Sequence, residues 1–114
     1  MRRKLAAGNW KMNGTAADLA QVEEICFAHK DAGVDILICP PATLLSRLTD
    51  IAGGVIATGG QDCHANENGA HTGDIAAGML ADAGATYVIL GHSERREDHE
   101  ETDLDVREKA KAAL

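Results

Sequence analysis

The sequence predicts an α/β protein made of parallel βα units. Four short apolar runs alternate with amphipathic helical segments along the chain, and this alternation is typical of a parallel sheet with helices packed outside it. Two of the runs, at residues 36–38 and 87–90, are continuously apolar, as in strands that are covered on both faces. With 114 residues, the chain is expected to form one domain, residues 1–114.

The four strands are predicted from aliphatic and β-branched residues that are followed by Gly, Pro or polar residues. They are expected at residues 5–10, 34–39, 55–58 and 86–90. The carboxyl ends of parallel strands meet at one edge of the sheet, so this edge is where a ligand site is expected.

Four helices are predicted from apolar residues at three- and four-residue spacing. The first follows a Thr15 cap, the second lies between residues 41 and 53, and the third spans residues 75–83. The last begins at Thr102, which forms a capping box with Asp105.

Two architectures fit the resulting order: an open doubly wound sheet, or part of a (β/α)8 barrel. Four βα units are half of such a barrel, which typically has about 250 residues. The last helix reaches Leu114 without a terminating signal, so we expect a truncated chain.

The charge and composition exclude several partner classes. The chain has 11 Lys and Arg against 18 Asp and Glu, a formal net charge of −7, which disfavours nucleic acid and anionic membranes as partners. No apolar run approaches the ~20 residues of a membrane-spanning helix, and the N-terminal apolar stretch is too short for a signal peptide. We therefore expect a cytoplasmic protein.

The cysteines indicate neither a disulfide framework nor a zinc ribbon. Cys26, Cys39 and Cys63 are odd in number and widely spaced, so buried reduced thiols are the favoured interpretation. The alternative is a metal site drawn from Asp62, Cys63, His64 and His71, for which the ligand spacing is poor.

The residues just after the strands include several that can bind an anion. Asn9, near the end of the first strand, and Lys11, just after it, share one side of that strand with Leu5 and Ala7. If this side faces the sheet interior, the ammonium projects into a pocket and attracts an anionic ligand. His92 follows the fourth strand before Ser93, a good helix cap, and Glu94. A helix N-terminus and burial both favour a neutral imidazole, which can donate to a substrate oxygen.

Each of these residues also has a structural interpretation. A lysine at a loop start is commonly solvated, and a histidine at a helix start can simply cap its own helix. Glu94 beside Arg95 and Arg96 could form a surface ion pair of little energetic value.

Four motifs then resemble the signatures of triosephosphate isomerases. They are GNWKMN at residues 8–13, CPP at 39–41, GAHTGD at 69–74 and GHSERR at 91–96. The resemblance covers the whole chain but only the N-terminal half of the family's chain. It implies the first four strands of a (β/α)8 TIM barrel.

The resemblance also implies a reaction and roles for individual residues. The family interconverts dihydroxyacetone phosphate and glyceraldehyde 3-phosphate through an enediolate, without a cofactor. Asn9 and Lys11 would bind this small phosphorylated triose, and His92 would polarise its carbonyl group. Glu94 would pair with Lys11, and Ser93 would help to position the catalytic base.

The same resemblance implies a homodimer. The loop after the third strand would reach into the second subunit, where Thr72 would approach the partner's Asn9 and Asp74 would pair with the partner's Arg95. This sequence departs from the family in and just after this loop: an aromatic residue is usual at His71, Glu is usual at Asp74, and Ser-Pro is usual at Ala76–Ala77.

The family's catalytic glutamate, mobile lid and phosphate clamp come from the second half of the barrel. We therefore expect that these 114 residues alone do not isomerise at an enzyme-like rate. An alternative function is a non-catalytic half-barrel that self-associates or binds a partner, since it has open strand edges and an inward face carrying Val88 and Leu90. An open-sheet phosphate-binding domain is disfavoured, because no glycine-rich fingerprint is present.

Overall fold

A computed structural model describes residues 2–114 of the chain, which form a four-stranded parallel sheet with helices between the strands. Each strand pairs with the next one along the chain, in the order β1-β2-β3-β4. A doubly wound sheet reverses its strand order at a switch point, and the described sheet has no such reversal. The strands are β1 Leu5–Asn9, β2 Asp35–Cys39, β3 Ala57–Gly60 and β4 Tyr87–Val88.

All four helices predicted from apolar periodicity are present, together with a fifth, of which the sequence indicated only the start near His92 and Ser93. Thr15 precedes a short 3₁₀ turn, Ala16–Asp18, and its backbone N–H donates to the Asp18 carboxylate over 2.7 Å. The capping box of Thr102 and Asp105 begins the last helix as predicted. The helices are α1 Leu19–His29, α2 Ala42–Ala52, α3 Ala77–Asp82, α4 Ser93–Asp98 and α5 Asp103–Ala113.

The main hydrophobic core lies between β2 and the first two helices. Its residues come from the apolar faces that the helical periodicity indicated, and Trp10 packs against their edge. Burial of such side chains is the dominant favourable contribution to folding. The core residues are Leu19, Val22, Cys26, Ile38, Leu44, Leu48, Ala52 and Ile56.

A smaller second core forms where α2 and α3 meet the sheet. Its buried residues are Leu45, Cys63 and Leu80, and both Val88 and Leu90 pack against them half-buried. Val88 and Leu90, which were expected on an uncovered inward face, are therefore partly covered by the residues of this second core.

Strand β3 lies two residues later than predicted, at Ala57–Gly60 instead of residues 55–58. Val55 belongs to a turn in which its N–H donates to the Ala52 carbonyl, 2.9 Å away. A side chain at Gly59 would place its Cβ 2.9 Å from both Cys39 Sγ and the Tyr87 carbonyl oxygen. The sheet therefore requires glycine here, although glycine is generally depleted in strands.

Strand β4 is shorter than predicted, covering Tyr87–Val88 instead of residues 86–90. Its hydrogen bonding nevertheless extends further, because the Ile89 N–H donates to the Gly60 carbonyl over 2.9 Å. Within residues 2–114, no helix is long and apolar enough to cross a bilayer.

Candidate active site

The carboxyl ends of β1, β3 and β4 surround one cavity of about 300 Å³. Most of its polar lining comes from the segments that immediately follow these strands, as expected for parallel βα units. Lys11 and His92 both line it, so the two predicted ligand-binding groups face a shared space. The lining residues are Asn9, Lys11, Met12, Gln61, Asp62, His92, Glu94, Arg95, Asp98 and His99.

Lys11 is held in an unusual backbone conformation. Its φ is 59°, in the left-handed region that side chains other than glycine rarely adopt. The Lys11 N–H donates to Asn9 Oδ1 over 2.8 Å, and Gln61 Nε2 donates to the Lys11 carbonyl over 2.9 Å. Such a conformation persists only where surrounding contacts hold it in place. These two hydrogen bonds hold the Lys11 backbone and so set the position from which its side chain extends towards the cavity.

Gln61 is a functional candidate that had no predicted role. Its Nε2 also donates to the Cys39 carbonyl over 2.9 Å, and this side chain therefore connects the ends of β1, β2 and β3. The one feature of the sequence that pointed to Gln61 was its position just after a predicted strand. That position does not reveal a hydrogen bond to the Lys11 carbonyl, fifty residues earlier in the chain.

Lys11 and His92 approach the same carboxylate oxygen. Lys11 Nζ lies 2.9 Å from Glu94 Oε1, and His92 Nδ1 lies 3.8 Å from that atom. The hydrogen bond from the Lys11 ammonium lowers the pKa of Glu94 below its ordinary value and outweighs partial desolvation, which acts in the opposite direction. Glu94 is therefore an ionised carboxylate that orients a cation, and a weak base.

His92 caps helix α4 with its own side chain. Its Nδ1 accepts the backbone N–H of Glu94 over 3.1 Å. A nitrogen that accepts a hydrogen bond carries no proton, so in the neutral ring the proton is on Nε2. The cap thus fixes the tautomer in which Nε2–H can donate to a ligand, and the structural and functional interpretations of His92 are compatible.

Ser93 is not the cap that the sequence predicted. It is the first residue of α4, its side chain is exposed, and it is absent from the cavity lining. The imidazole of the preceding residue reaches the free N–H group first, so the cap shifts by one position. The structure brings Asn9, Lys11, His92 and Glu94 together but leaves Ser93 beside them.

Gly91 allows the chain to turn from β4 into α4. Its φ is +65°, and an added Cβ would lie 2.9 Å from Val106 Cγ2. The guanidinium of Arg96 reinforces the turn, since its Nε donates to the Gly91 carbonyl over 2.9 Å while Nη1 pairs with Asp103 over 2.6 Å. These contacts set the position of His92.

A half-buried ion network lies behind the cavity. Arg95 Nε is 3.1 Å from Asp62 Oδ2 and 3.7 Å from Glu101 Oε2, and Lys109 contacts both of these carboxylates. Desolvation lowers the pKa of Lys109, but hydrogen bonds to Glu101 and Asp62 act against it, and the net shift is upward. Sequence reasoning missed Glu101 and Lys109, because their partners are distant along the chain.

The residues predicted for a dimer interface lie in and beside the loop after β3. Thr72 and Asp74 are exposed on this loop. Asp74 borders a second cavity of about 180 Å³ that Arg95 also lines. The Arg95 side chain already contacts Asp62 and Glu101 within its own chain. A pair between Asp74 and the partner's Arg95 stays a prediction.

The three cysteines are buried free thiols. Burial raises the pKa of each, and at Cys63 the negative charge of Asp62 adds to this effect while Lys109 opposes it. Raised values disfavour the thiolate, which is the reactive form. Among residues 2–114, no three His, Cys, Asp or Glu side chains form a group that could hold a metal ion.

Comparison with known proteins identifies the family. The model of the triosephosphate isomerase family matches residues 4–114. The chain belongs to the triosephosphate isomerase family.

Relatives and a solved structure cover this chain almost completely but only about half of their own length. The triosephosphate isomerase of Ruegeria pomeroyi is 68% identical over 115 residues, covering 100% of this chain and 46% of the relative. That of Ruegeria sp. strain TM1040 is 66% identical over 113 residues, covering 99% and 46%. The chain thus spans about half the length of the curated relatives that it matches.

The crystal structure of triosephosphate isomerase from Bartonella henselae superposes with a TM-score of 0.88 at 50% identity, covering 98% of this chain and 47% of that one. The four parallel strands of this chain, which alternate with helices, therefore match part of a triosephosphate isomerase structure. The fold predicted from the sequence is confirmed.

Proposed function

We propose that these 114 residues supply one half of a triosephosphate isomerase active site, which interconverts dihydroxyacetone phosphate and glyceraldehyde 3-phosphate through an enediolate. The observation that supports this most strongly is that Lys11, paired with Glu94 Oε1 over 2.9 Å, and His92 line one cavity. A fixed cation and a fixed N–H donor beside one cavity can stabilise negative charge that develops on a substrate oxygen.

Each residue has a distinct part in this proposal. The Lys11 ammonium attracts the phosphorylated substrate and the enediolate, and Asn9 holds the Lys11 backbone in place. His92 donates from Nε2 to the substrate carbonyl oxygen. Glu94 orients the ammonium, and its lowered pKa makes it unsuited to abstract a carbon-bound proton.

The proton-abstracting carboxylate is therefore proposed to come from outside these residues. The family resemblance assigns it to the second half of the barrel, together with the phosphate clamp and the lid. Ser93, beside His92 at the start of α4, is proposed to contact that base. We further propose a cytoplasmic homodimer in which Thr72 and Asp74 contact the second subunit, with no cofactor.

Completion of the barrel tests this function. Residues 1–114 would be joined to the remaining half of the Ruegeria pomeroyi relative, and isomerisation of glyceraldehyde 3-phosphate would be measured. We expect turnover from the chimera and only background conversion from residues 1–114 alone. A folded chimera without activity, or enzyme-like turnover by the 114 residues alone, would contradict the proposal.

A non-catalytic, self-associating half-barrel is the second candidate function. It is favoured by strand β1, whose residues 5–8 are all exposed and which has β2 as its single neighbour among residues 2–114. An unpaired strand edge is a template for pairing with another chain.

A further inference from the structure

Arg96 holds the backbone on both sides of His92. The Arg96 backbone N–H donates to the His92 carbonyl over 3.1 Å, and the side-chain Nε of Arg96 donates to the Gly91 carbonyl over 2.9 Å. Because each peptide unit is planar and rigid, these two bonds restrain the two peptide units that flank the His92 Cα atom. They therefore set the direction in which the imidazole leaves the backbone.

The Gly91 carbonyl needs this partner because glycine leaves the backbone free. Glycine adopts positive and negative φ about equally readily, so the residue itself does not impose the φ of +65° observed at Gly91. A Cβ added at Gly91 would lie 3.0 Å from Arg96 Nη2, which shows that the guanidinium packs closely against this glycine. Contact and hydrogen bond together hold the turn between β4 and α4 in one conformation.

The other side of the guanidinium is anchored to a different element. Arg96 Nη1 lies 2.6 Å from Asp103 Oδ1, and Asp103 is the first residue of α5. The capping box of Thr102 and Asp105 fixes the start of α5 independently. The Arg96 and Asp103 side chains are 40% and 94% exposed, so their ion pair contributes little to stability. Its consequence is that it orients the guanidinium towards Gly91.

We propose that Arg96 is a positioning residue for the isomerisation, which holds the His92 imidazole where Nε2–H can donate to the substrate oxygen. The proposal rests on the proposed function, in which His92 is that donor. Arg96 is absent from the cavity lining, so it acts through His92 and not on the substrate. Lysine is not equivalent here, because an ammonium does not have the rigid planar fork that directs two donors to fixed partners.

Steady-state kinetics of the completed barrel tests this role. Arg96→Met removes both side-chain hydrogen bonds and keeps the apolar stem. We expect kcat to fall about ten- to a hundredfold, the effect of a small misplacement of a reacting group. KM should stay unchanged, because attraction of the substrate depends on Lys11. Arg96→Lys should lose kcat in the same way, and it provides the test if Arg96→Met does not fold.

Arg3→Met is the matched control. Arg3 also joins an exposed aspartate to a backbone carbonyl, since its Nε lies 2.8 Å from Asp35 Oδ1 and its Nη2 lies 3.5 Å from the Ala32 carbonyl oxygen. It precedes β1, at the end of the strand opposite the cavity. Arg3→Met should lower the melting temperature about as much as Arg96→Met while keeping the wild-type kcat. Wild-type kcat in Arg96→Met, or an equal loss in both variants, would overturn the proposal.

Asp103→Ala tests whether the anchor acts through Arg96. This change alone should lower kcat less than Arg96→Met does, because the bond from Arg96 to the Gly91 carbonyl remains possible. The double variant should be no slower than Arg96→Met, since both changes act on the same contact. Losses that add fully would contradict the proposal.

Nitrogen NMR of the His92 ring separates this proposal from the proposed function. In the wild type Nδ1 accepts the Glu94 N–H, so the two ring nitrogens should give widely separated signals above about pH 8, where an ordinary imidazole is neutral. In Arg96→Met the ring should leave the cap, and mixing of its tautomers should bring the signals together, whereas Arg3→Met should not change them. Unchanged ring signals in Arg96→Met would overturn the proposal. A completed barrel that shows this change but has no turnover would contradict the proposed function alone.

Discussion

At the scale of single residues, the candidate site depends on Glu94. Its Oε1 lies 2.9 Å from Lys11 Nζ and its backbone N–H donates to His92 Nδ1 over 3.1 Å, so one residue organises a cation and an imidazole that come from different strand ends. Three of the following predictions concern these three side chains.

Replacement of Lys11 by methionine should remove the cation from the site while keeping most of the side-chain volume. We expect kcat/KM of the completed barrel to fall by about 10²- to 10³-fold, the effect of losing one electrostatic group at a developing charge. Lys111→Met is the control, since Lys111 lies in the last turn of α5 and is absent from the cavity lining. Steady-state kinetics measures both, and near-normal activity of Lys11→Met would remove Lys11 from the mechanism.

His92→Gln should preserve the helix cap but not the imidazole. The glutamine oxygen can accept the Glu94 N–H that His92 Nδ1 now accepts, so folding should change little. We expect turnover to fall by about 10²- to 10⁴-fold, the usual contribution of a positioned group that shares a proton with the substrate. Turnover and thermal unfolding would be measured together, with His29→Gln as the control, and an unchanged kcat would exclude the role proposed for His92.

The ion pair of Lys11 and Glu94 should make stability depend on pH. Because the folded protein lowers the pKa of Glu94 from its ordinary 4.5, the pair stabilises the fold above that value. The contribution is lost as pH falls through the lower folded pKa. The difference in unfolding free energy between wild type and Glu94→Gln should therefore shrink below about pH 4.5, as denaturant titrations would measure. A difference that is constant across this range would show that the pair has no net effect.

At the scale of elements, the sequence predicted the structures that carry periodic apolar residues. Helix α2 begins and ends near the predicted positions because Leu44, Leu45 and Leu48 mark its buried face and Gly53 adopts the left-handed conformation that ends it. Helix α4 was not among the four helices predicted from periodicity, since its sequence, Ser93–Asp98, has no apolar residue that could reveal a face. Only its start was indicated, by the possible caps Ser93 and His92, and the structure shows that His92 is the cap.

Truncation of Leu48 tests the main core. This side chain is completely buried between α1, α2 and β2, so Leu48→Ala should lower the free energy of unfolding by about 2–5 kcal/mol. Ser46→Ala on the exposed face of the same helix should change it by less than about 0.5 kcal/mol. Chemical denaturation of both variants measures the values, and equal effects would show that this core is not the one described.

At the scale of the whole molecule, the described residues form a four-stranded sheet that has an exposed edge at β1. Strand β1 has β2 as its one neighbour, and Leu5 leaves 43% of its surface exposed. The sequence indicated parallel units and their number, but pairing across distant segments, such as Lys109 with Asp62, has no local signature. The comparisons with known proteins show the family and the fold. The catalytic roles of individual residues stay predictions.

The exposed edge predicts self-association of the 114 residues in isolation. Light scattering after size-exclusion chromatography should give a mass that exceeds 12.0 kDa and increases with concentration. Ala6→Lys places a charge on the edge strand and should reduce this mass, whereas Ala20→Lys on the exposed face of α1 should not. A monomer at every concentration would contradict the prediction.

The most direct measurement is where a triose phosphate binds in the completed barrel. Nitrogen NMR of the His92 imidazole and the Lys11 ammonium would be followed while dihydroxyacetone phosphate is added. If one ligand occupies the cavity between them, both signals shift along a single saturation curve. A ligand that saturates while either signal stays unchanged, or curves with different midpoints, would show that the two side chains do not serve one site.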